Sequence, residues 1–290
     1  MTPPPDNGQS KRNRRDEARE KARLAREAAA RKKRRNRVFA IGGSIVAAVV
    51  VVGLVIWGIS ANIQPAGPGP KNMASDGLLL QGNAKTGAIT ATKTDPIKAG
   101  GKPTATDDSK LTKTVNITVY LDYQCPYCDE FETTNASQIK TWLKSGAVTY
   151  EIHPIAILDA SSLGNKYSTR AANAAACVAN YEPNEFLAVN TAFFANQPQE
   201  QTNGRTDAQI IKTVQKAGAT SSKIPSCITS QKFKSWVGDA TNRALDDKLP
   251  NSSVSKVTGT PTVIVNGKQY SGSLTSAADF KSFVTSQASS

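Results

Sequence analysis

The sequence predicts an α/β protein, in which a mixed sheet carries an inserted α-helical domain and follows a single transmembrane helix. A strand–helix–strand pattern begins at Val115, a long block of helical periodicity spans about 159–250, and a short hairpin with a final helix follows. A crossover between neighbouring strands needs far fewer residues than this block supplies. The block is therefore interpreted as a domain inserted at the midpoint of the sheet.

The first 37 residues hold most of the positive charge of the chain. The whole chain has a net charge of +13, and residues 1–37 contain 14 Lys and Arg against 5 Asp and Glu. Their apolar residues are almost all alanine, so they cannot form a core. Because no aromatic residue is interleaved for base stacking, we expect a solvated basic tail in the cytoplasm and no nucleic acid partner.

Residues 38–63 form an uninterrupted apolar stretch. These 26 residues carry no charge, and a helix needs only ~20 residues to cross a bilayer. Basic residues cluster from Arg31 to Arg37, and only Lys71 follows the stretch closely. The positive-inside rule then predicts a lipid-embedded anchor with everything after Ile63 outside. A cleaved signal peptide is the alternative, although its apolar region is typically about 7–15 residues long.

Residues 64–110 are rich in Pro, Gly, Lys, Thr and Ser. This composition predicts an extracytoplasmic linker whose first part is a flexible spacer. Two short apolar runs, Leu78–Leu80 and Ala88–Thr90, are candidates for a strand or hairpin added to the following domain.

The globular pattern begins at Leu111. Val115–Leu121 is predicted as a strand, Asp129–Ser145 as a helix with Gly146 at its C-cap, and Ala147–Ile152 as a second strand. The short connections of this βαβ unit predict that the two strands are parallel.

The later elements are predicted from periodicity and turn residues. Four helical segments are expected within the block, at Arg170–Asn180, Pro183–Phe194, Asp207–Gly218 (with Asp207 as N-cap) and Gln231–Leu245. Beyond the block, Asn266-Gly267 lies between two strand-like runs, Thr262–Val265 and Lys268–Tyr270, which is a strong hairpin signal. The spacing of apolar residues over 275–287 then predicts a last amphipathic helix.

The first strand runs directly into Cys125-Pro126-Tyr127-Cys128. Cys125 is thereby placed at a helix start, where free backbone N–H groups and the helix dipole favour a thiolate. An ordinary thiol, with a pKa of ~8.5, is only slightly ionised at neutral pH. A lowered pKa would make Cys125 the nucleophile and Cys128 the resolving thiol, an exchange that needs no cofactor.

The Cys-x-x-Cys motif has three other interpretations. A zinc site needs four ligands, but Cys177 and Cys227 each stand alone in the later sequence. A c-type haem needs His after the second Cys, where this chain has Asp129. A purely structural disulfide stays open. His153, the single histidine, is expected to be a packed residue rather than a general base.

The order of these elements, with CPYC after the first strand and Gly259-Thr260-Pro261-Thr262 before the hairpin, resembles the DsbA family. Members have a thioredoxin fold with an inserted helical domain. The similarity is greatest to membrane-anchored, extracytoplasmic DsbA-like proteins of actinobacteria, and it covers residues 111–287.

This resemblance implies a set of expectations. The Thr260–Pro261 bond would be cis and face the dithiol, so that Tyr127, Thr260 and Pro261 contact an extended substrate. Cys177 and Cys227 would form a structural disulfide. The substrates would be reduced or unfolded secreted proteins, and a membrane redox partner would reoxidise the dithiol.

One residue departs from the family pattern. The oxidising members often have His where this chain has Tyr127, and a histidine there helps to hold the thiolate. The expected function is thiol–disulfide exchange, most simply disulfide formation. A reductase or isomerase, for instance in cytochrome maturation, and a non-enzymatic anchored binding domain are the alternatives.

Overall fold

The computed structural model describes residues 67–111 and 114–288. The strands are β1 (Leu78–Gly82), β2 (Ile89–Ala91), β3 (Val115–Leu121), β4 (Val148–Pro154), β5 (Thr262–Val265) and β6 (Lys268–Gln269). The helices are α1 (Pro126–Lys144), α2 (Tyr167–Tyr181), α3 (Phe186–Ala195), α4 (Asp207–Lys216), α5 (Lys223–Thr229), α6 (Lys234–Asp246) and α7 (Ala277–Ala288). The predicted basic tail and transmembrane span lie outside the described residues. Within those residues, no helix is both long and apolar enough to cross a bilayer.

The strands form one mixed sheet in the order β2-β1-β4-β3-β5-β6. β3 and β4 are parallel, with Ile117 opposite Tyr150. The other neighbouring pairs are antiparallel. The parallel βαβ unit predicted from the sequence is therefore confirmed, and the hairpin at Asn266-Gly267 is present.

The β-branched residues of β3 build the centre of the molecule because a strand directs alternate side chains to opposite faces. Ile117 and Val119 are fully buried with Phe131 of α1 in the main core. Tyr120 points to the other face, into a smaller cluster that contains Ile264 and residues following α6. The sheet is thus covered on both sides, with α1 on the side of the main core.

The inserted domain is built around α2, which is rich in alanine and almost entirely buried. Small side chains let the neighbouring helices approach closely. Cys177 on α2 is joined by a disulfide to Cys227 on α5, with an S–S distance of 2.00 Å. The sequence prediction missed α5 because a helix of seven residues is too short to show clear periodicity.

The start of α4 differs by one residue from the prediction. Thr206, not Asp207, is the N-cap, and its hydroxyl accepts the Gln209 backbone N–H. The Gln209 side chain accepts the Thr206 N–H in return, which completes a capping box. Asp207 instead pairs with the buried Arg170 at 2.5 Å, a tertiary contact that local sequence cannot reveal.

Residues 67–110, here called the strap, pack against the domain. Gly67 N–H donates to Ser235 Oγ of α6 at 3.0 Å, and the Asp76 carboxylate pairs with Arg243 at 2.7 Å. β1 of the strap pairs with β4, which satisfies backbone groups that would otherwise form an exposed edge. The added hairpin is present. The expectation of a flexible spacer is wrong from Gly67 onward, because the sheet edge and α6 supply partners that composition does not show.

The disulfide of the helical domain should contribute strongly to stability. Its loop of 50 residues corresponds to about 4 kcal/mol of unfolding free energy in the chain-entropy model. In a Cys125→Ser/Cys128→Ser background, reductant should therefore lower the free energy of unfolding by about that amount. The measurement is denaturant unfolding with and without reductant, and a loss under about 1 kcal/mol would contradict the assignment of a stabilising bridge.

Candidate active site

The turn between β3 and α1 is held by a buried carboxylate, Asp122. It accepts the backbone N–H of Gln124 at 2.8 Å and those of Ile157 and Leu158 at 2.8 and 3.0 Å. Burial raises the pKa of Asp122, while these three N–H bonds oppose that rise. Asp122 thereby fixes the loop after β4 against the turn that presents the cysteines.

Cys125 is the N-cap of α1, and Pro126 occupies the first helical position. Pro is well suited there because it lacks only an N–H that has no intrahelical partner. Cys125 lies at the helix start as the motif predicted, whereas the helical periodicity had placed the first helical residue three positions later, at Asp129. Cys125 is 4% exposed and Cys128 is fully buried, whereas Tyr127 between them is 61% exposed.

The segment before β5 forms the opposite wall of the site. The Thr260–Pro261 bond is cis, as the resemblance implied. Cys125 Sγ lies 3.2 Å from the Thr260 carbonyl oxygen and donates to it when the thiol is protonated. This contact joins residues 135 apart in sequence, because β5 pairs antiparallel with β3.

The pKa values of the two thiols are shifted in opposite directions. The pKa of Cys125 is lowered to about 6. The largest cause is the hydrogen bond from the Cys128 thiol, and burial works against it; bonds from Thr260 and from the N–H groups of Cys128 and Tyr127 lower the pKa further. Burial raises the pKa of Cys128 well above its ordinary value. At neutral pH this pair consists of an ionised nucleophile beside a protonated thiol, which is the arrangement needed for dithiol–disulfide exchange.

The helical domain also contacts the turn. Gln197 Nε2, just beyond α3, donates to the Cys125 carbonyl oxygen at 2.9 Å, and Gln124 Nε2 donates to the Ser161 carbonyl oxygen at 3.2 Å. Leu163, two residues after Ser161, is 61% exposed with a left-handed φ of 49°. The sequence prediction missed Gln197 and Leu163, since no motif marks either residue.

Glu132 is a further residue that the sequence prediction missed. A glutamate within a polar helix is ordinarily solvent-exposed, yet Glu132 is 3% exposed on the inner face of α1. Burial raises its pKa to about 7. Glu132 lies four residues after Cys128 and next to Phe131, so helical periodicity places it on the same buried face of α1. This spacing is the only sequence signal that could have suggested its burial.

The remaining candidates from the sequence lie away from these contacts. His153 on β4 stacks on Tyr120, with ring centroids 4.3 Å apart, and its Nε2 is 3.3 Å from Glu151. It is a packed residue, as expected. Within the described residues Cys125 and Cys128 are free thiols.

Comparison with known proteins agrees with this geometry. A family model described as thioredoxin matches residues 112–285. Over 118 residues the chain is 35% identical to the serine/threonine-protein kinase PknE of Mycobacterium tuberculosis, a match that covers 39% of this chain. The chain spans only 21% of the length of that kinase.

Solved structures give the same fold over a longer stretch. The reduced form of the disulfide bond oxidoreductase DsbG of M. tuberculosis is 31% identical, with a TM-score of 0.50 over 59% of this chain and 77% of that one. Oxidised DsbA of M. tuberculosis is 27% identical, with a TM-score of 0.52 over 74% of this chain and 93% of that one. Oxidised BdbD of Bacillus subtilis, at 16% identity and a TM-score of 0.52 over 78% of this chain and 100% of that one, shares the fold.

The family model spans more than half of the chain, and the paired thiols have the acidities that exchange requires. The chain therefore belongs to the thioredoxin family, and its fold is similar to that of the mycobacterial DsbG and DsbA structures.

Proposed function

We propose that this protein is a thiol–disulfide oxidoreductase that forms disulfides in reduced, unfolded secreted proteins, with Cys125 as the nucleophilic and Cys128 as the resolving thiol. The observation that carries the proposal is the lowered pKa of Cys125, about 6. Because a stabilised thiolate stabilises the reduced enzyme, it makes the Cys125–Cys128 disulfide a stronger oxidant.

In the proposed reaction, a substrate thiolate attacks Cys125 Sγ of the oxidised enzyme, and Cys128 leaves. A second substrate thiolate then attacks the substrate sulfur of the mixed disulfide, and Cys125 leaves as a stable thiolate. Two electrons pass from substrate to enzyme. A membrane redox partner must then accept them to restore the disulfide, since the domain itself carries no cofactor in this proposal.

Tyr127, Thr260 and Pro261 are the proposed substrate contacts. Tyr127 is largely exposed beside the buried thiols, and the Thr260 carbonyl oxygen lies 3.2 Å from Cys125 Sγ. Leu163 adds a second exposed apolar side chain on a loop tied to the active-site turn. An unfolded chain offers apolar side chains to such a surface, whereas a folded protein has buried most of its own.

We further propose that residues 38–63 anchor the protein in the cytoplasmic membrane, with residues 1–37 in the cytoplasm and the domain, 111–287, outside. The apolar stretch and the basic residues before it support this orientation. The disulfide between Cys177 and Cys227 is also in keeping with an oxidising compartment.

Tyr127 favours one alternative, a reductase or isomerase of the same chemistry. Tyr127 occupies the position at which a histidine would stabilise the ionised form of Cys125. The reduction potential of the Cys125–Cys128 disulfide separates the two functions. The potential of the reductant thioredoxin is about −270 mV, and that of the oxidant DsbA is about −120 mV.

The proposed roles of the cysteines predict distinct defects. With reduced, unfolded ribonuclease A as substrate, Cys125→Ala should lower disulfide formation to the uncatalysed rate, because the nucleophile is lost. With disulfide-bonded, scrambled ribonuclease A in place of the reduced protein, the Cys125 thiolate of Cys128→Ala should attack a substrate disulfide and displace a substrate thiolate. The resulting mixed disulfide should accumulate on a non-reducing gel, because no Cys128 thiol remains to resolve it. Wild-type activity in Cys125→Ala would overturn the enzyme assignment, and a wild-type potential near about −270 mV would overturn the oxidant assignment.

Tyr127→His should make the enzyme more oxidising. A protonated imidazole beside the thiolate favours the charged form, so the pKa of Cys125 should fall below its value of about 6. The measurements are thiolate absorbance against pH and the reduction potential, with Tyr127→Phe as the control that adds no charge. Equal potentials for the histidine and phenylalanine variants would contradict this explanation.

The proposed orientation is testable in intact cells. A protease that cannot cross the membrane should cleave the domain from cells that produce the full chain, because everything after Ile63 is outside in this topology. A cytoplasmic protein of the same cells, probed in parallel, should stay intact. A domain that is protected until the cells are permeabilised would contradict the proposed topology.

A further inference from the structure

A groove lies on the surface of the inserted domain, between α3 and α4. Its volume is about 450 Å³. Ala188, Thr191 and Ala192 of α3 line one wall, and Lys212 and Lys216 of α4 line the other. Each wall is one face of its helix, because residues three and four apart are neighbours on a helix surface. The exchange steps described above give this groove no role.

The groove is open because its α3 wall consists of small side chains. The large aromatic residues of α3, Phe186, Phe193 and Phe194, are buried in the core. Ala188 and Thr191 are exposed instead, and α3 contains no charged residue. The wall of α3 therefore leaves room for a polypeptide segment and adds no charge of its own.

The positive charges of the groove have no counter-ions. Lys212 and Lys216 are exposed, and no ion pair in the described part of the chain includes either of them. Asp207, the one acidic residue of α4, pairs with Arg170 at 2.5 Å. Among the described residues, no Asp or Glu lines the groove. Both lysines are therefore available to an anionic partner.

One end of the groove adjoins the active site. Asn196 after α3 and Arg205 before α4 line this end, and Arg205 Nε donates to the Asn196 carbonyl oxygen at 2.6 Å. Gln197, the next residue, donates its Nε2 to the Cys125 carbonyl oxygen at 2.9 Å. A single residue thus separates the end of the groove from a direct contact with the nucleophilic cysteine.

The shape and charge of the groove fit an extended acidic polypeptide. A bilayer presents a broad surface, which cannot enter a trough between two helices. The basic tail of this chain is excluded by its own charge, since residues 1–37 contain 14 Lys and Arg against 5 Asp and Glu. From Ala188 to Asn196 a helix rises about 12 Å, a length that about four residues of extended chain span. A substrate held at Cys125 can therefore reach both lysines with residues a few positions from its own cysteine.

We propose that this groove is a subsite for acidic substrate segments, in which Lys212 and Lys216 bind carboxylates about three to eight residues from the substrate cysteine that attacks Cys125. The inference rests on the proposed dithiol exchange and names its preferred substrates, secreted chains with acidic residues near a cysteine. Exposed charge pairs act mainly on association. The subsite therefore lowers the half-saturating substrate concentration and leaves the maximal exchange rate unchanged.

The test compares three reduced dithiol peptides of equal length. They carry three Glu, three Gln or three Lys about three to eight residues from the first cysteine, on its N-terminal side in one set and on its C-terminal side in another. Oxidised full-length protein in phosphatidylcholine nanodiscs is mixed with excess peptide and quenched with acid. Mass spectrometry then measures the fraction of protein that the peptide dithiol has reduced.

In the wild type, the glutamate peptide of at least one set should half-saturate the protein at about a tenfold lower concentration than its glutamine counterpart at low salt. This factor lies within the range of two exposed ion pairs. The lysine peptide should need a higher concentration than either. At about 1 M salt the three peptides should become equal, because the Debye length falls to about 3 Å.

Charge reversal in the groove separates binding from other effects of the charged peptides. Lys212→Glu/Lys216→Glu should favour the lysine peptide over the glutamate peptide, a reversal that impaired folding does not produce. Acidic residues near a peptide thiol also change its ionisation, and comparison of the same peptides across variants removes that effect. Lys98→Glu/Lys102→Glu is the matched control: it makes the same charge change at exposed lysines of equal spacing outside the groove, and its preference should equal that of the wild type.

Equal half-saturating concentrations for the glutamate and glutamine peptides in both wild-type sets would overturn the subsite and leave the oxidant function standing. A glutamate preference that persists in Lys212→Glu/Lys216→Glu would also overturn it. So would a preference that disappears when phosphatidylglycerol replaces phosphatidylcholine at constant ionic strength, because the lysines would then bind lipid.

Failure of the wild type to oxidise any of these peptides would instead overturn the proposed function. In that case fluorescence anisotropy of labelled peptides with Ser in place of Cys decides the subsite. Tighter binding of the glutamate peptide, lost in Lys212→Glu/Lys216→Glu, would support the subsite, and equal binding of all three peptides would overturn it.

Discussion

The chemistry of the site depends on the stabilisation of one sulfur anion, the Cys125 thiolate at the start of α1. Cys125 is nearly buried, where an isolated charge is unfavourable, yet its pKa is about 6. Hydrogen bonds from the Cys128 thiol and nearby backbone N–H groups offset the cost of burial. Most of these donors lie on α1 itself, while Asp122 after β3 and Gln197 after α3 hold the turn that carries Cys125.

Distant parts of the chain form this environment together. The segment before β5 places the Thr260 carbonyl oxygen beside Cys125 Sγ. The inserted helices place Gln197 where its amide donates to the Cys125 carbonyl oxygen. The disulfide between Cys177 and Cys227 fixes two of those helices to each other. The inserted domain thus helps to position the dithiol through Gln197.

Local signals predicted much of this arrangement. The alternation of Val115–Leu121, the Cys-x-x-Cys spacing and the Asn-Gly turn each depend on neighbours in sequence, and the structure has all three. The strap differed from the prediction because its partners, such as Arg243, are far away in sequence. Glu132 was missed for the same reason: its burial depends on Tyr150 and Asn190, which only the folded chain brings together.

The most direct test of the central claim is the ionisation of Cys125 itself. The rate of alkylation by iodoacetamide, resolved for each cysteine by peptide mass spectrometry, reports the thiolate fraction across pH. We predict that Cys125 reactivity has a midpoint at about 6, while Cys128 stays unreactive well above the ordinary thiol range. Similar midpoints for both cysteines, near the ~8.5 of a free thiol, would contradict the account.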